Sequence, residues 1–253
     1  MSLRKFAPTA ASYEDNWFDN PIQDILVKIV GQYSATADGA CPVELPGGSM
    51  AYMKPRPDTQ KNLVVAREKI AADLAHLLGL PVAPTVVKRP NPADGACYHS
   101  ALSLVCLAAG RTWQNGGQVH VASCFEALES LRVFWSWIGD IDHNGHPGNL
   151  VYQVTTGGVD VVAIDHSYSL CHQNLNDPLT SGACNGYQTE HLPQSTEVRR
   201  KQIAAIQALD ATEIERLVRR LGEILTIPEQ DRILGILDVR SKALIKMLKM
   251  EGV

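Results

Sequence analysis

Residues 137–149 read Trp-Ile-Gly-Asp-Ile-Asp-His-Asn-Gly-His-Pro-Gly-Asn, and Ile164-Asp165-His166-Ser167 follows a short apolar stretch later. Asp140, Asp142, His143, His146, Asn149, Asp165 and His166 therefore gather acids, bases and oxygen donors in one span. The turn-forming Thr155-Thr156-Gly157-Gly158 lies between two runs of β-forming residues, which predicts an antiparallel hairpin over residues 150–154 and 159–164. Counting outward from Gly157 makes Asn149 and Asp165 symmetric and brings them together at the open end. An amide oxygen and a carboxylate are hard ligands suited to Mg²⁺, which keeps waters and takes further ligands from nucleotide phosphates. A second chemistry is a transition-metal hydrolase built on His143, His146 and His166 beside Asp142 and Asp165. Against it, His143 and His146 occupy a Gly- and Pro-containing loop rather than two positions on one helix face. His146 is then a hydrogen-bonding organiser of the loop.

The segments that must hold these residues can be read in outline. Residues 25–30 are rich in β-branched side chains, residues 34–39 are turn-like, and residues 49–54 form a strand ending at Pro55. Over residues 63–78 the period becomes helical, with Ile70, Ala71, Leu74, Ala75 and Leu78 on one stripe and Gly79 and Pro81 as stop signals. Residues 82–88 and 101–107 are apolar enough to return to the same sheet. Residues 123–139 predict a helix that is apolar almost all round, so Trp135 and Trp137 belong to a core rather than to a ligand-stacking platform. From Thr196 onward the chain reads as helical, with Ala243, Leu244, Met247 and Leu248 as a packing face. The fold class is α+β in two lobes: an antiparallel sheet with one helix over residues 1–109, then a mainly helical lobe over residues 110–253.

Composition excludes several function classes. Across 253 residues, 23 Lys and Arg face 27 Asp and Glu, a net charge of −4, so no electrostatic case exists for nucleic acid as a partner. Arg199, Arg200, Lys201, Arg216, Arg219 and Arg220 read as solvated helix faces. No apolar run approaches the roughly 18–20 residues that cross a bilayer, and Tyr13 to Asn16 interrupt any signal peptide, so a soluble, unprocessed chain is expected. The six cysteines form no Cys-x-x-Cys pair and are expected to be reduced and mostly buried, which fits a cytoplasmic location without excluding export as an effector. Neither a Gly-x-Ser-x-Gly elbow nor a Gly-x-Gly-x-x-Gly fingerprint is present.

With His146-Pro147-Gly148-Asn149 ahead of a hairpin and Ile164-Asp165-His166 after it, the sequence resembles the HipA-like and phosphoinositide 3-/4-kinase-like branch of the protein-kinase-like superfamily. That family carries a loop of the type Asn-x-Asp-x-His-x-x-Asn, then a hairpin, then Ile-Asp-His or Ile-Asp-Phe. The earlier residues agree in order: Lys54-Pro55 at a strand end, Glu68 in the following helix, and the Leu78-Gly79-Leu80-Pro81 exit. The resemblance spans roughly residues 25–250. It implies ATP and Mg²⁺, with Lys54 on the phosphates, oriented by Glu68. It also implies adenine against the backbone of residues 105–108, including Val105 and Leu107, and Mg²⁺ on Asn149 and Asp165. Residues 34–39 would cover the phosphates.

One departure touches the catalytic position. The family's aspartate lies five residues before the metal-binding asparagine, where this chain has Asn144. If two residues are inserted, Asp140-Ile141-Asp142 replaces Asn-x-Asp and Asp142 is the base. If Asn144 holds the position, the chain is a nucleotide-binding interaction module, because an amide accepts no proton at neutral pH. The expectation is an atypical kinase transferring the γ-phosphate of ATP to a hydroxyl, with Ser or Thr of a protein as acceptor and a lipid or small polyol as the alternative. The lack of a basic amphipathic segment lowers the lipid option.

Overall fold

The computed structural model describes residues 17–32, 39–55, 62–94, 97–107, 109–140, 142, 143, 146–170 and 195–250. The turn expected at residues 34–39, except Gly39, lies outside the described residues, as do Ala108, Asn144, Cys171, Cys184 and the side chains of Met247 and Leu248. Among the described residues no helix is long and apolar enough to cross a membrane.

The first sheet contains β1 (Ile22–Gln23), β2 (Lys28–Ile29), β3 (Cys41–Glu44), β4 (Met50–Pro55), β5 (Thr85–Lys88) and β6 (Ser100–Leu104), in the order β1-β5-β6-β4-β3-β2. All pairings are antiparallel except β1 with β5, a parallel contact not anticipated from the sequence. The strand expected over residues 25–30 shrinks to Lys28 and Ile29, and the Val27 amide donates to the Asp94 side chain (3.3 Å) instead of to a neighbouring strand.

Strand alternation sends Ala51 and Met53 into a cluster with Trp17, Val27, Val43, Val86 and Leu102. Lys54 points to the opposite face. There α1 (Asn62–Leu77) packs, buried through Ile70, Ala71, Leu74 and Ala75. Gly79, at φ 67°, takes the left-handed conformation that ends this helix, and Leu80 N donates to Ala75 O (2.9 Å).

A second, three-stranded sheet joins β7 (Arg111–Thr112), β8 (Leu150–Thr155) and β9 (Gly158–Ala163). The helices are α2 (Val121–Ile138), α3 (Ser195–Gln207), α4 (Ala211–Arg219) and α5 (Ile227–Met250). Phe134, Trp135 and Trp137 are completely or almost completely enclosed, so the apolar α2 is a core helix. The two sheets meet where Ala83 N donates to Ala163 O (3.0 Å) and Ala163 N to Pro81 O (2.8 Å).

Two arginines depart from the expected solvated faces. Arg199 pairs with the buried Glu129. Arg220 reaches Asp73 of α1 (2.6 Å), which also pairs with the buried Lys69 (2.6 Å), and the Phe18 carbonyl. Cys41 and Cys124 are buried as expected, but Cys97 is exposed.

The last turn of α2 sets the geometry of the loop that follows it. Gly139 ends the helix at φ 63°, and Arg240 of α5 donates to Ser136 O (2.9 and 2.7 Å) and Trp137 O (3.0 Å), satisfying terminal carbonyls. A Cβ on Gly139 would sit 3.0 Å from that guanidinium. Gly139→Ala is expected to cost about 1–2 kcal/mol from the left-handed backbone alone. Thermal unfolding should show a drop of about 2–4 °C per kcal/mol, and an unchanged Tm would contradict this role.

Candidate functional site

A cleft of about 340 Å³ opens between the first sheet and the β7–β9 sheet, within the range of small-molecule sites. Ala40, Tyr52 and Lys54 line one side, residues 103–107 the back, and Val151, Val162, Ile164 and Asp165 the other side. The lining is mainly apolar, with its charged groups at one end.

Those charges are Lys54 and Asp165, and the buried Glu68 stands against Lys54 without lining the cleft. Lys54 Nζ lies 2.6 Å from Glu68 Oε1 and 2.6 Å from Asp165 Oδ1. Burial alone would lower the lysine, but the two carboxylates outweigh it and raise its pKa, so the ammonium is retained. Burial likewise pushes Asp165 upward, yet Lys54 and the Ser167 hydroxyl hold it below the usual carboxylate range. Burial also pushes Glu68 upward. With Lys54 at 2.6 Å and His166 N donating to Oε2 at 2.9 Å, the ionised pair is the state this geometry favours. Asp165 has φ 63°, a left-handed conformation that aspartate tolerates better than most residues.

Across the hairpin, Asn149 ends a short helical turn, Pro147–Asn149. Its Nδ2 donates to Asp142 Oδ2 (2.6 Å), which leaves the amide oxygen as a possible metal ligand. His146 Nδ1 stands 2.6 Å from Asp142 Oδ1, so Asp142 is held from both sides while part of its carboxylate stays accessible, its side chain being 19% exposed. Asp140 differs: it is buried, and its Oδ1 accepts from Asp142 N (3.0 Å) and His143 N (3.2 Å).

The hairpin register corrects the expected symmetry. Thr155 pairs with Gly158 around a two-residue loop, so the axis falls between Thr156 and Gly157 rather than on Gly157. Asn149 therefore stands opposite Ile164, whose N–H donates to Asn149 O (2.9 Å), and Asp165 lies one residue further on. A backbone contact at the back of the cleft is also narrower than expected. Val105 N already donates to Met50 O (2.9 Å), so any bond from Val105 to a base must use its carbonyl.

Asp140, His143 and His166 place ligand-type atoms within 4.8 Å of one another in the interior. His146 is not part of this group, so the three-histidine set considered from sequence is not what assembles. Trp135 stacks on His143 at 4.4 Å and donates from Nε1 to His166 Nε2 (3.3 Å). Burial first, and the neighbouring His143 second, push His166 down to about 3, so that ring is neutral.

Sequence reasoning missed Tyr52, Ser103, Val151 and Val162 as cleft-lining residues. Tyr52 was accessible by alternation from Lys54, and Val162 by alternation from Ile164. Ser167 Oγ, donating to Asp165 Oδ1 (2.7 Å), carried no separate signal.

No protein-family model matches the chain, and no curated protein matches it in sequence. Among solved structures it is similar to the Helicobacter pylori proinflammatory kinase CtkA, with a TM-score of 0.62 and 11% identity over 88% of this chain and 95% of that one. At this identity the likeness speaks for architecture rather than for a particular branch or substrate. The chain has a two-lobed, kinase-like fold, and Lys54 and Asp165 line the cleft between its two sheets, with Glu68 buried against Lys54.

Proposed function

We propose that this chain is an ATP-dependent phosphotransferase of the HipA-like and phosphoinositide-kinase-like type, acting on a hydroxyl of Ser or Thr in a protein. The observation that carries the reading is Lys54, held at once by Glu68 and Asp165 at the charged end of an apolar cleft. A lysine fixed between two carboxylates can neutralise phosphate charge without being reoriented during the reaction.

Adenine would lie in the apolar part of the cleft, taking the Val105 carbonyl as acceptor and the Leu107 amide as donor. Asn149 Oδ1 and Asp165 would hold Mg²⁺, since an amide oxygen and an ionised carboxylate fit that ion. When bound, Mg²⁺ neutralises the phosphate oxygens. Asp142, steadied by Asn149 and His146, orients the acceptor hydroxyl and takes its proton as the oxygen forms its bond to the γ-phosphorus; the bond to the bridging oxygen breaks and ADP leaves.

ATP titrations with and without Mg²⁺, paired with an ADP-release assay, test this. Asp165→Asn preserves shape but removes the charge. It is expected to weaken Mg²⁺-dependent nucleotide binding by more than about 10-fold, since even outer-sphere partners of metal ligands are worth about 10–100-fold. Metal-independent binding, identical in wild type and variant, would contradict the assignment.

A further inference from the structure

The buried group beside the cleft has a hydrogen-bond pattern that fixes its protons. His143 is almost completely enclosed, and its Nε2 lies 3.0 Å from Ile164 O. A carbonyl only accepts, so Nε2 carries a hydrogen. Its Nδ1 stands 3.0 Å from Asp140 Oδ1, at ion-pair distance though not in hydrogen-bond alignment. A neutral ring would leave an unprotonated Nδ1 3.0 Å from a carboxylate oxygen, a repulsive contact that an imidazolium turns into attraction. Asp140 Oδ1 also accepts two backbone N–H groups, from Asp142 and His143, and such bonds favour the ionised acid. One proton is needed between the two groups, and the ring is the place for it.

A metal ion in the same place is disfavoured by His166. Trp135 Nε1–H occupies the Nε2 lone pair of that neutral ring, so its Nδ1 carries the hydrogen and no ring lone pair is left for coordination. Asp140 and His143 alone are too few ligands for the four-coordinate sites that transition metals such as zinc occupy.

Resting on the phosphotransferase reading, we infer that Asp140 and His143 form a carboxylate–imidazolium strut that positions Asp142 and the Ile164–Asp165 backbone for phosphoryl transfer. Asp140 fixes the Asp142 amide, and Asp142 in turn meets Asn149. His143 binds the Ile164 carbonyl while Ile164 N binds Asn149 O, so that residue is clamped at both ends immediately before Asp165. Trp135, stacked at an interplanar angle of 22°, holds the ring against the end of α2. The charged and titratable groups acting on His143 are Asp140, Asp142, Asp165 and His166. Burial alone would lower His143, but Asp140 beside it raises its pKa; burial would raise Asp140, but His143 beside it lowers it. Both directions agree with the geometric assignment. Asp140 and His143 are positioning residues, since neither reaches the substrate.

The experiment uses the full chain with ¹⁵N-labelled histidine at pH 7.5. His143 is expected to show protons on both ring nitrogens, and Asp140→Asn should lose the one on Nδ1. In steady-state assays, His143→Gln, which can still donate to Ile164 O, should lower kcat by about 10- to 100-fold, with KM for ATP little changed. The Asp140→Asn/His143→Gln pair should be no slower than the slower single variant, because the two act as one unit. A bare Nδ1 in the wild type, one equivalent of transition metal per chain by elemental analysis, or multiplying losses in the double variant would overturn the strut. Absence of ADP formation in the wild type would instead remove the phosphotransferase reading, while the wild-type ring spectrum still decides whether the strut exists.

Discussion

Asp142→Asn is expected to lower phosphoryl transfer by about 10²- to 10⁴-fold, the usual cost of losing a positioned base, while leaving Mg²⁺·ATP binding nearly intact. The substitution is well suited to its surroundings. Asp142 accepts from Asn149 Nδ2 through one oxygen and faces His146 Nδ1 through the other. An asparagine keeps one acceptor for Asn149, and exposed His146 can change tautomer to accept from the new amide. Loss of rate then reports the missing base and not a collapsed loop. Asp140→Asn should be milder, because its remaining oxygen can still receive the Asp142 and His143 amides. Rapid-quench or coupled ADP assays on the two variants separate them; full activity in Asp142→Asn would remove it as the base.

Lys54→Met should be nearly as damaging, and for two reasons that can be told apart. The first is loss of the phosphate-neutralising charge. The second is that Glu68 and Asp165, both within 2.6 Å of Nζ, would face one another without a cation. Removing one partner of a buried pair commonly costs about 3–5 kcal/mol, so a lower Tm is expected as well. Lys54→Arg retains the charge and should recover much of the stability, yet its planar fork cannot reproduce a point contact with two carboxylates, so turnover should stay low. Recovery of turnover together with stability would reduce Lys54 to a structural cation.

The readable and the hidden parts of this protein divide along physical lines. Lys54 was legible because a short apolar and aromatic run, Met50 to Met53, halted at Pro55, and Glu68 because it follows in a helix with clear apolar spacing and a Gly-Leu-Pro exit. Their 2.6 Å contact follows from alternation on β4 and the packing of α1 on that face. The hairpin was legible from its turn chemistry, but its register was off by one residue, since neighbouring Thr and Gly residues permit more than one loop centre.

Other features are tertiary and left no local trace. Val105 looks like an available hinge residue until Met50 is seen across from its amide. Arg220 looks like a surface charge until α4 carries it to Asp73 and Phe18. The Asp140–His143 contact is local, but its meaning depends on Ile164 and Trp135, brought in by another strand and by the preceding helix. Asn144, the competing candidate for the catalytic position, lies outside the described residues, so the choice of Asp142 rests on the contacts that Asp142 makes.

Transfer of a phosphoryl group from ATP to a hydroxyl can be followed directly. The direct measurement incubates the purified full chain with Mg²⁺ and γ-³²P-labelled ATP, with the chain itself and dephosphorylated casein as acceptors, and follows ADP and acid-stable phosphoester together. Wild type is expected to form both in equal amounts, and Asp142→Asn almost none while still binding Mg²⁺·ATP. Tight ATP binding by both proteins, with neither ADP nor labelled acceptor from either, would contradict the phosphotransferase reading and make the chain a nucleotide-binding interaction module.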